Sequence, residues 1–247
     1  MRIVAISDVH GFQRSLKLPP GDVLVNTGDI THSGELEIME DFREWLKEQP
    51  FKHKLVMGGN HDFSLDKQHG RYPKLNGYEF FKDVATYMEG DAIEIDGIRF
   101  WGGPWVPNLP LWAFREEGRV KCWDSIPGNT QVLLTHTPPQ GILDDCGPHV
   151  GSLPLKERIK QLPELKVHVF GHIHEGREQG WNGCGAERGC YVHDGEPHYV
   201  LHVNAAVCTR RYKPTNAPQI IDLFPGEDAK LLKVVDGEAV KVDTERT

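Results

Sequence analysis

Acidic, histidine and asparagine side chains follow several short apolar runs of this sequence, at spacings that suit metal ligands. The candidate ligands, in chain order, are Asp8, His10, Asp29, Asn60, His136, His172 and His174. This mixed set of oxygen and nitrogen donors suits Mn²⁺, Fe or Zn²⁺ and argues against Ca²⁺. About seven ligands can hold two ions that share one carboxylate at a separation of roughly 3.5–4 Å.

Each of these positions, taken alone, also has a structural explanation. An Asp close to a His after a strand is more often a polar turn than a metal site, and a lone His is more often a hydrogen-bonded core residue. Here the pattern follows five separate apolar runs. Parallel strands gather their carboxyl ends along one edge of an α/β sheet, where such sheets place their sites. The recurrence therefore favours a metal site over five unrelated turns.

The elements that must position these residues predict an α/β fold. The runs that precede the candidate ligands are short and rich in β-branched residues, as expected of buried strands, at 2–6, 22–26, 53–57, 131–134 and 166–170. Residues 35–48 have the apolar spacing of a helix, with Ser33 as its N-cap. Strand, helix and strand in that order form a βαβ unit.

The remaining elements are predicted from turn signals and periodicity. Asp96-Gly97 predicts a hairpin between two short strands. We expect helices within 77–88 and at 155–162, an ordered aromatic loop at 102–125, a glycine-rich loop at 176–189, strands at 198–203 and 219–223, and a last hairpin at Asp236-Gly237. The aromatic loop could equally cap the core or border a substrate site. With no repeat or clear boundary, residues 1–247 are expected to form one domain.

Composition narrows the classes of partner. The formal charge is −8, from 28 basic and 36 acidic residues, and no long basic run occurs, so tight binding of long nucleic acids is not expected. No stretch approaches 18 apolar residues, and the first apolar run is too short for a signal peptide. The five cysteines are odd in number, and the spacing of Cys184 and Cys190 near His193 fits no common zinc site. We therefore expect a reduced, cytoplasmic protein that does not bind membranes.

The order of the motifs resembles that of the calcineurin-like metallophosphoesterases. The matching blocks are Asp8-Val9-His10, Gly28-Asp29, Gly59-Asn60-His61-Asp62, Thr135-His136 and Gly171-His172-Ile173-His174. Further blocks, Gly103-Pro104-Trp105, Asn204-Ala205 and 214–218 among them, resemble the metallophosphoesterase-domain-containing (MPPED, UPF0046-like) subfamily. Some animal members have Gly where this chain has His172, so keeping the histidine implies a competent site. Asp62 stands where several members have Glu. The resemblance implies a four-layer αββα sandwich of two mixed β-sheets flanked by helices.

The resemblance also implies residue roles. Asp8, His10 and His174 would bind the first metal ion, while Asn60, His136 and His172 would bind the second. Asp29 would bridge the two divalent ions, which are expected to be Mn²⁺, with Fe, Zn²⁺ or Ni²⁺ as alternatives. A hydroxide held between the ions would attack phosphorus in line with the leaving oxygen.

His61 is the expected catalytic residue, as the acid that protonates the leaving group, with Asp62 orienting and charging its ring. The alternative is that His61 only positions Asn60. Asn60, His61 and, on weaker grounds, His149 are the candidate substrate contacts.

The expected activity is hydrolysis of cyclic nucleotides or other small phosphodiesters, and the subfamily resemblance supplies that substrate class. Phosphomonoester hydrolysis, including that of a protein phosphatase, is the alternative within the enzyme class. A non-catalytic nucleotide-binding scaffold is the alternative outside it, although the presence of His61 and His172 argues against it. A terminal or 2′,3′-cyclic RNA phosphate remains compatible with the composition, and the oligomeric state is left open.

Overall fold

Two β-sheets stack face to face in the computed structural model, which describes residues 1–70, 73–117, 122–174, 185–224, 226–235 and 238–241. The described strands, in chain order, are β1 (Arg2–Ile6), β2 (Val23–Asn26), β3 (His53–Val56), β4 (Thr86–Tyr87), β5 (Asp91–Ile95), β6 (Ile98–Gly103), β7 (Val132–Thr135), β8 (Val167–Phe170), β9 (Gly185–His193), β10 (Glu196–Asn204), β11 (Gln219–Asp222), β12 (Lys230–Val235) and β13 (Glu238–Lys241). The first sheet has the order β13-β12-β11-β1-β2-β3-β4, and the second has the order β5-β6-β7-β8-β10-β9.

Parallel pairing in the middle of each sheet brings the functional loops together. In the first sheet β1, β2, β3 and β4 are parallel, and in the second β6, β7, β8 and β10 are parallel. The antiparallel strands β11 to β13, β5 and β9 lie outside these groups. Both sheets are therefore mixed, as predicted, and each presents a row of carboxyl-terminal strand ends.

Alternating side chains build the layers. Ile3 and Ala5 of β1 face the second sheet and pack with residues such as Val169, whereas Val4 and Ile6 face the opposite way. There they meet the apolar face of helix α1 (Leu36–Glu48), formed by its buried residues Met39, Phe42, Trp45 and Leu46. Helix α3 (Leu153–Ile159) covers the outer face of the second sheet with Leu155 and Ile159. The helix–sheet–sheet–helix order confirms the predicted four-layer sandwich.

Several predicted boundaries are wrong. Helix α2 covers only Gly77–Phe81, because Thr86–Tyr87 pairs with β3 and does not continue the helix. Ser33 does not cap α1; the N-cap is Glu35, whose carboxylate accepts hydrogen bonds from the backbone N–H groups of His32 and Ser33.

Other predicted segments shift or fall outside the description. Helix α3 lies at 153–159 and not at 155–162, and residues 185–189 of the expected glycine-rich loop belong to β9. Residues 176–184 and the turn at 236–237 lie outside the described residues, although β12 and β13 pair as a hairpin would. No helix among the described residues is long and apolar enough to cross a membrane.

Candidate metal centre

The predicted ligands lie in loops that leave the carboxyl ends of β1, β2, β3, β7 and β8. Asp8, His10, Asp29 and His172 all have positive backbone φ angles, between 42° and 68°. Residues other than glycine seldom adopt this left-handed conformation, and such strain concentrates at functional sites. The four side chains are thus held in directions that an ordinary turn would not give them.

Two glycines make room for these loops to meet. Gly28 has a φ of +109°, and a Cβ atom there would lie 2.5 Å from the Gly58 carbonyl oxygen and 2.7 Å from Nδ1 of His136. A Cβ atom on Gly171 would overlap Ser7 and the Asp8 carboxylate. Larger residues at either position would push the ligand-bearing loops apart.

Six of the predicted ligands form two groups of three. Asp8, His10 and His174 offer one ligand atom each within 4.8 Å of one another, and Asp29, His136 and His172 do the same. The first group, which we call triad 1, draws on β1 and β8, and the second, triad 2, draws on β2, β7 and β8. The fold brings together residues that lie far apart in the chain. Asp8 and His174 are more than 160 positions apart, yet Oδ1 of Asp8 is 2.9 Å from Nε2 of His174.

Asp29, a member of triad 2, also faces triad 1. Its Oδ2 atom is 3.8 Å from Nε2 of His10 in triad 1 and 3.4 Å from Nε2 of His136 in triad 2. Its other oxygen, Oδ1, accepts a hydrogen bond of 2.8 Å from the backbone N–H of His61, which fixes the carboxylate. One carboxylate oxygen therefore faces both groups of potential ligands.

Asn60 belongs with triad 2. Its Oδ1 atom is 2.9 Å from Nε2 of His136 and 2.8 Å from Nδ1 of His172. The amide oxygen thus converges with the nitrogens of both histidines, at the place where the sequence predicted a second metal ion.

The ring orientations of His10 and His136 test whether these residues fit a metal. Nδ1 of His10 donates to the Thr31 carbonyl and Nδ1 of His136 donates to the Thr27 carbonyl, each over 2.8 Å. Such bonds place a proton on Nδ1 and turn Nε2 of both rings towards the centre, as in known metal sites. Nε2 of His10 is buried and has no hydrogen-bond partner. A cation would satisfy that nitrogen, so the donor set fits a divalent metal ion.

The charges at the site support the same conclusion. Although burial opposes ionisation, His174 holds the pKa of Asp8 at about 2, and His136 holds the pKa of Asp29 well below its ordinary value. Burial lowers the pKa of His10 to about 4 and that of His172 to about 3. Against the cost of burial, Asp29 raises the pKa of His136 to about 9. The carboxylates of Asp8 and Asp29 thus remain ionised, while the imidazoles of His10 and His172 are neutral. The positive charge of His136 now balances part of this negative charge, and a bound divalent cation could balance it instead.

His61 lies at the edge of this centre with a fixed ring. Its Nδ1 atom donates to the His32 carbonyl over 2.6 Å, and its Nε2 atom points towards Asp29, 4.0 Å from Oδ2. The side chain is 28% exposed, so Nε2 can meet a ligand that enters from solvent.

Asp62 has a different set of contacts from the predicted one. Its buried carboxylate accepts hydrogen bonds from the backbone N–H groups of Ile30, Thr31 and Gly59 and from the Thr31 hydroxyl group. Burial, and then Asp29, raises its pKa to about 6. Asp62 therefore ties the Asp29 loop to the Asn60 loop, and a carbonyl, not this carboxylate, orients His61.

His149 is not brought to either triad by any contact among the described residues. Its Nδ1 atom pairs with Asp144 over 2.6 Å, and its side chain is 57% exposed. Substrate contact by His149 stays a prediction.

Two aromatic residues that sequence reasoning did not assign lie against the triads. The Tyr212 ring has a centroid 4.8 Å from that of His10 and 5.5 Å from that of His174, and its φ is 53°. The Trp112 ring contacts His172, with 4.8 Å between centroids. Trp112 belongs to the aromatic loop that was left open between a core cap and a site border. Its neighbours Trp105 and Trp123 are buried in the core, so the described part of the loop covers the core, and Trp112 also contacts the candidate centre. No motif marks Tyr212, which follows the Arg210-Arg211 pair.

The fold and the two groups of candidate ligands are those of a metal-dependent hydrolase, and the comparisons with known proteins agree. A family model described as calcineurin-like phosphoesterase matches residues 1–176. Metallophosphoesterase domain-containing protein 1 of Homo sapiens is 32% identical over 245 residues, covering 90% of this chain and 71% of that protein. A UPF0046 protein of Caenorhabditis elegans is 34% identical over 187 residues, which cover 71% of this chain and 64% of that protein. The chain belongs to the calcineurin-like phosphoesterase family.

The predicted subfamily resemblance is thereby confirmed, and the chain is a metal-dependent phosphoester hydrolase. The family implies two divalent metal ions, for which the triads are the candidate sites. A more distant relative is a probable glycerophosphodiester phosphodiesterase of Arcobacter nitrofigilis, 24% identical over 176 residues, 66% of this chain and 60% of that protein.

Proposed function

We propose that this protein is a dinuclear phosphodiesterase that hydrolyses small phosphodiesters, cyclic nucleotides among them. The observation that carries the proposal is the position of Asp29, whose Oδ2 atom faces His10 of triad 1 and His136 of triad 2. A carboxylate that faces both triads suits two ions held close together, an arrangement that can stabilise the attacking and leaving oxygens of an in-line displacement at phosphorus.

Each residue of the centre has a role in this proposal. Triad 1 and triad 2, with Asn60 in the latter, hold the cations, and Asp29 joins the two halves. When bound, two divalent cations polarise phosphoryl oxygens and lower the pKa of a coordinated water so that it can attack phosphorus. Mn²⁺ is the expected ion, with Fe, Zn²⁺ and Ni²⁺ as the alternatives.

His61 supplies the proton for the leaving oxygen. The bond from its Nδ1–H to the His32 carbonyl leaves Nε2 facing the centre, near Asp29. A protonated Nε2 beside the ester can transfer its proton to a departing alkoxide, which is worth about 10²–10⁴-fold in rate.

Diesters are favoured over monoesters by charge and by one comparison. A diester carries one negative charge and a monoester close to two at neutral pH. The chain has a formal charge of −8, so the diester is repelled less. One relative is a probable glycerophosphodiester phosphodiesterase. The same charge disfavours long nucleic acids as substrates but not a terminal or cyclic RNA phosphate.

We propose further that residues 1–247 act as one domain in a reducing compartment such as the cytoplasm. The hydrophobic core between the two sheets contains residues from β1 to β12, such as Ile3 and Leu231. A second group of buried residues lies on the outer faces of the sheets. Cys190 and Cys208 form no disulfide.

The test is hydrolysis by protein loaded with Mn²⁺. We expect turnover of bis-p-nitrophenyl phosphate and of at least one 2′,3′- or 3′,5′-cyclic nucleotide to exceed that of p-nitrophenyl phosphate. Asp29→Asn should abolish turnover, whereas the exposed Asp83→Asn should have no effect. Higher turnover of the monoester would establish the phosphomonoesterase alternative. A lack of metal-dependent turnover on every ester would leave the non-catalytic scaffold. Elemental analysis would identify the bound metal.

A further inference from the structure

A cleft of about 350 Å³ opens beside triad 2. It lies between residues 66–70, which follow the Asn60 loop, and residues 110–117 of the aromatic loop. Its lining residues include Gln68, His69, Leu111, Trp112, Arg115 and Glu117. This volume is within the range of small-molecule sites in proteins.

Trp112 joins the cleft to the metal centre, because it lines the cleft and its ring also contacts His172 edge to face. The next residue, Ala113, donates its backbone N–H to the Asn60 carbonyl over 3.0 Å. A ligand in the cleft would therefore lie close to Asn60 and His172, two of the residues that are expected to hold the second cation.

The cleft is built in advance of any ligand. Asp66 is buried and accepts a hydrogen bond of 2.7 Å from the backbone N–H of Phe114, which ties one wall to the other. His69 stacks on Phe63, with 4.4 Å between ring centroids, and its Nε2 atom donates to the Leu111 carbonyl over 3.1 Å. These bonds reduce the ordering cost of binding.

The lining indicates what kind of group would bind. Leu111 is 58% exposed, and with Trp112 it offers an apolar and aromatic face. The charged lining residues are two carboxylates, Asp66 and Glu117, against one guanidinium, that of Arg115, which pairs with Glu117 over 3.4 Å. This balance disfavours a second phosphate, while a flat uncharged ring could stack on the apolar face.

We infer that the cleft between residues 66–70 and 110–117 binds an aromatic or heteroaromatic organic group of the phosphoester whose phosphate lies at the two triads. The inference rests on the proposed function and adds to it the class of ester. Leu111 and Trp112 set the preference for flat groups, and the triads bind the phosphate that all esters share.

Calorimetric titration of the Mn²⁺-loaded protein with inorganic phosphate, methyl phosphate, phenyl phosphate and pyrophosphate tests the inference. We expect phenyl phosphate to bind roughly five- to tenfold more tightly than methyl phosphate, from the apolar area it buries. Leu111→Ala and Trp112→Ala should each bring the ratio of the two dissociation constants close to one. A ratio corrects for any general damage to the phosphate site. Val192→Ala removes another exposed apolar side chain, on the β9 strand, and should leave the ratio unchanged.

The outcomes separate the two proposals. If phosphate and methyl phosphate bind but phenyl phosphate has no advantage, or if its advantage survives both variants, the cleft inference is wrong and the phosphodiesterase proposal stands. Tighter binding of pyrophosphate than of phenyl phosphate would also overturn it, in favour of a phosphate subsite. If no phosphate compound binds the metal-loaded protein, both proposals fail.

Discussion

Two pairs of histidines in the second sheet have opposite surroundings. His136 and His172 follow the ends of β7 and β8, while His168 and His202 lie within β8 and β10. At the first pair a buried carboxylate, Asp29, lies close and the ring nitrogens converge on shared oxygens. The second pair has no carboxylate among its described hydrogen-bond partners, and its nitrogens are bonded to neighbouring strands.

His168 and His202, which we call the inner pair, belong to an unbroken chain of hydrogen bonds across four strands. The Tyr191 hydroxyl group donates to Nε2 of His202 over 2.9 Å, and Nδ1 of His202 is 3.2 Å from Nδ1 of His168. Nε2 of His168 is 2.8 Å from the Thr135 hydroxyl oxygen, which in turn donates to the Thr137 carbonyl. Two neutral imidazoles satisfy every link, so no nitrogen is left to bind a metal.

The pKa values set His136 apart from the other three histidines, since burial lowers the pKa of His172 to about 3 as well. Burial lowers the pKa of His202 to about 3 and, with His202 adding to the effect, that of His168 well below its ordinary value. Burial also acts to lower the pKa of His136, but Asp29 raises it to about 9. The comparison teaches that burial alone does not make a histidine a candidate ligand; the nitrogens of His136 and His172 differ from those of the other pair because they converge on the oxygen of Asn60 beside the Asp29 carboxylate.

The largest effect is expected at His136 and His172, which we call the outer pair. His136→Gln should lower metal-dependent turnover by more than about 10³-fold, because it removes several kcal/mol of transition-state stabilisation. Elemental analysis should show less bound metal. His202→Phe, an equally buried position, should keep the metal content of the wild type, and loss of metal in that variant would contradict the division.

His61 tests whether a histidine beside the centre acts without binding metal. His61→Ala should keep the metal and lower the turnover of alkyl esters by about 10²–10³-fold, because the leaving alkoxide loses its acid. The loss should be much smaller for p-nitrophenyl esters, whose leaving group needs no proton. Equal losses for both kinds of ester would show that His61 only positions Asn60.

The inner pair should appear in the pH dependence of stability. Below about pH 6.5 the unfolded chain binds protons on His168 and His202, while the folded protein, with lowered pKa values, does not. The free energy of unfolding should therefore fall by about 2 kcal/mol per histidine between pH 7 and pH 5. Denaturant unfolding of His168→Leu/His202→Phe should show a shallower pH dependence than the wild type, and an unchanged slope would contradict the neutral pair.

The smallest effect is expected from Tyr212, whose ring packs against His10 and His174. Tyr212→Ala should raise the Mn²⁺ concentration needed for half-maximal binding about fivefold, since an aromatic contact is worth about 1 kcal/mol. Tyr212→Phe keeps the ring and should match the wild type. A loss in the Phe variant would instead assign the role to the hydroxyl group.

Sequence reasoning was most successful for strands and least for what the loops contact. The apolar runs that end at Ile6, Val25 and Phe170 predicted β1, β2 and β8, because burial on both faces requires apolar side chains throughout. The predicted helix within 77–88 was too long because pairing of Thr86–Tyr87 with β3, a tertiary contact, ended it. The partners of Asp62 could not be predicted, since they are backbone groups of another loop.

The sequence by itself determined the identity of the candidate ligands and their place after strands, because residue type decides which atoms can bind a cation and apolar runs decide where strands end. Only the tertiary structure decided that Asp29 faces both triads, that His168 and His202 bond to each other, and that Trp112 and Tyr212 border the centre. The physical reason is that these contacts join residues far apart in the chain, and the stacking of two sheets sets their distances. No local pattern carries that information.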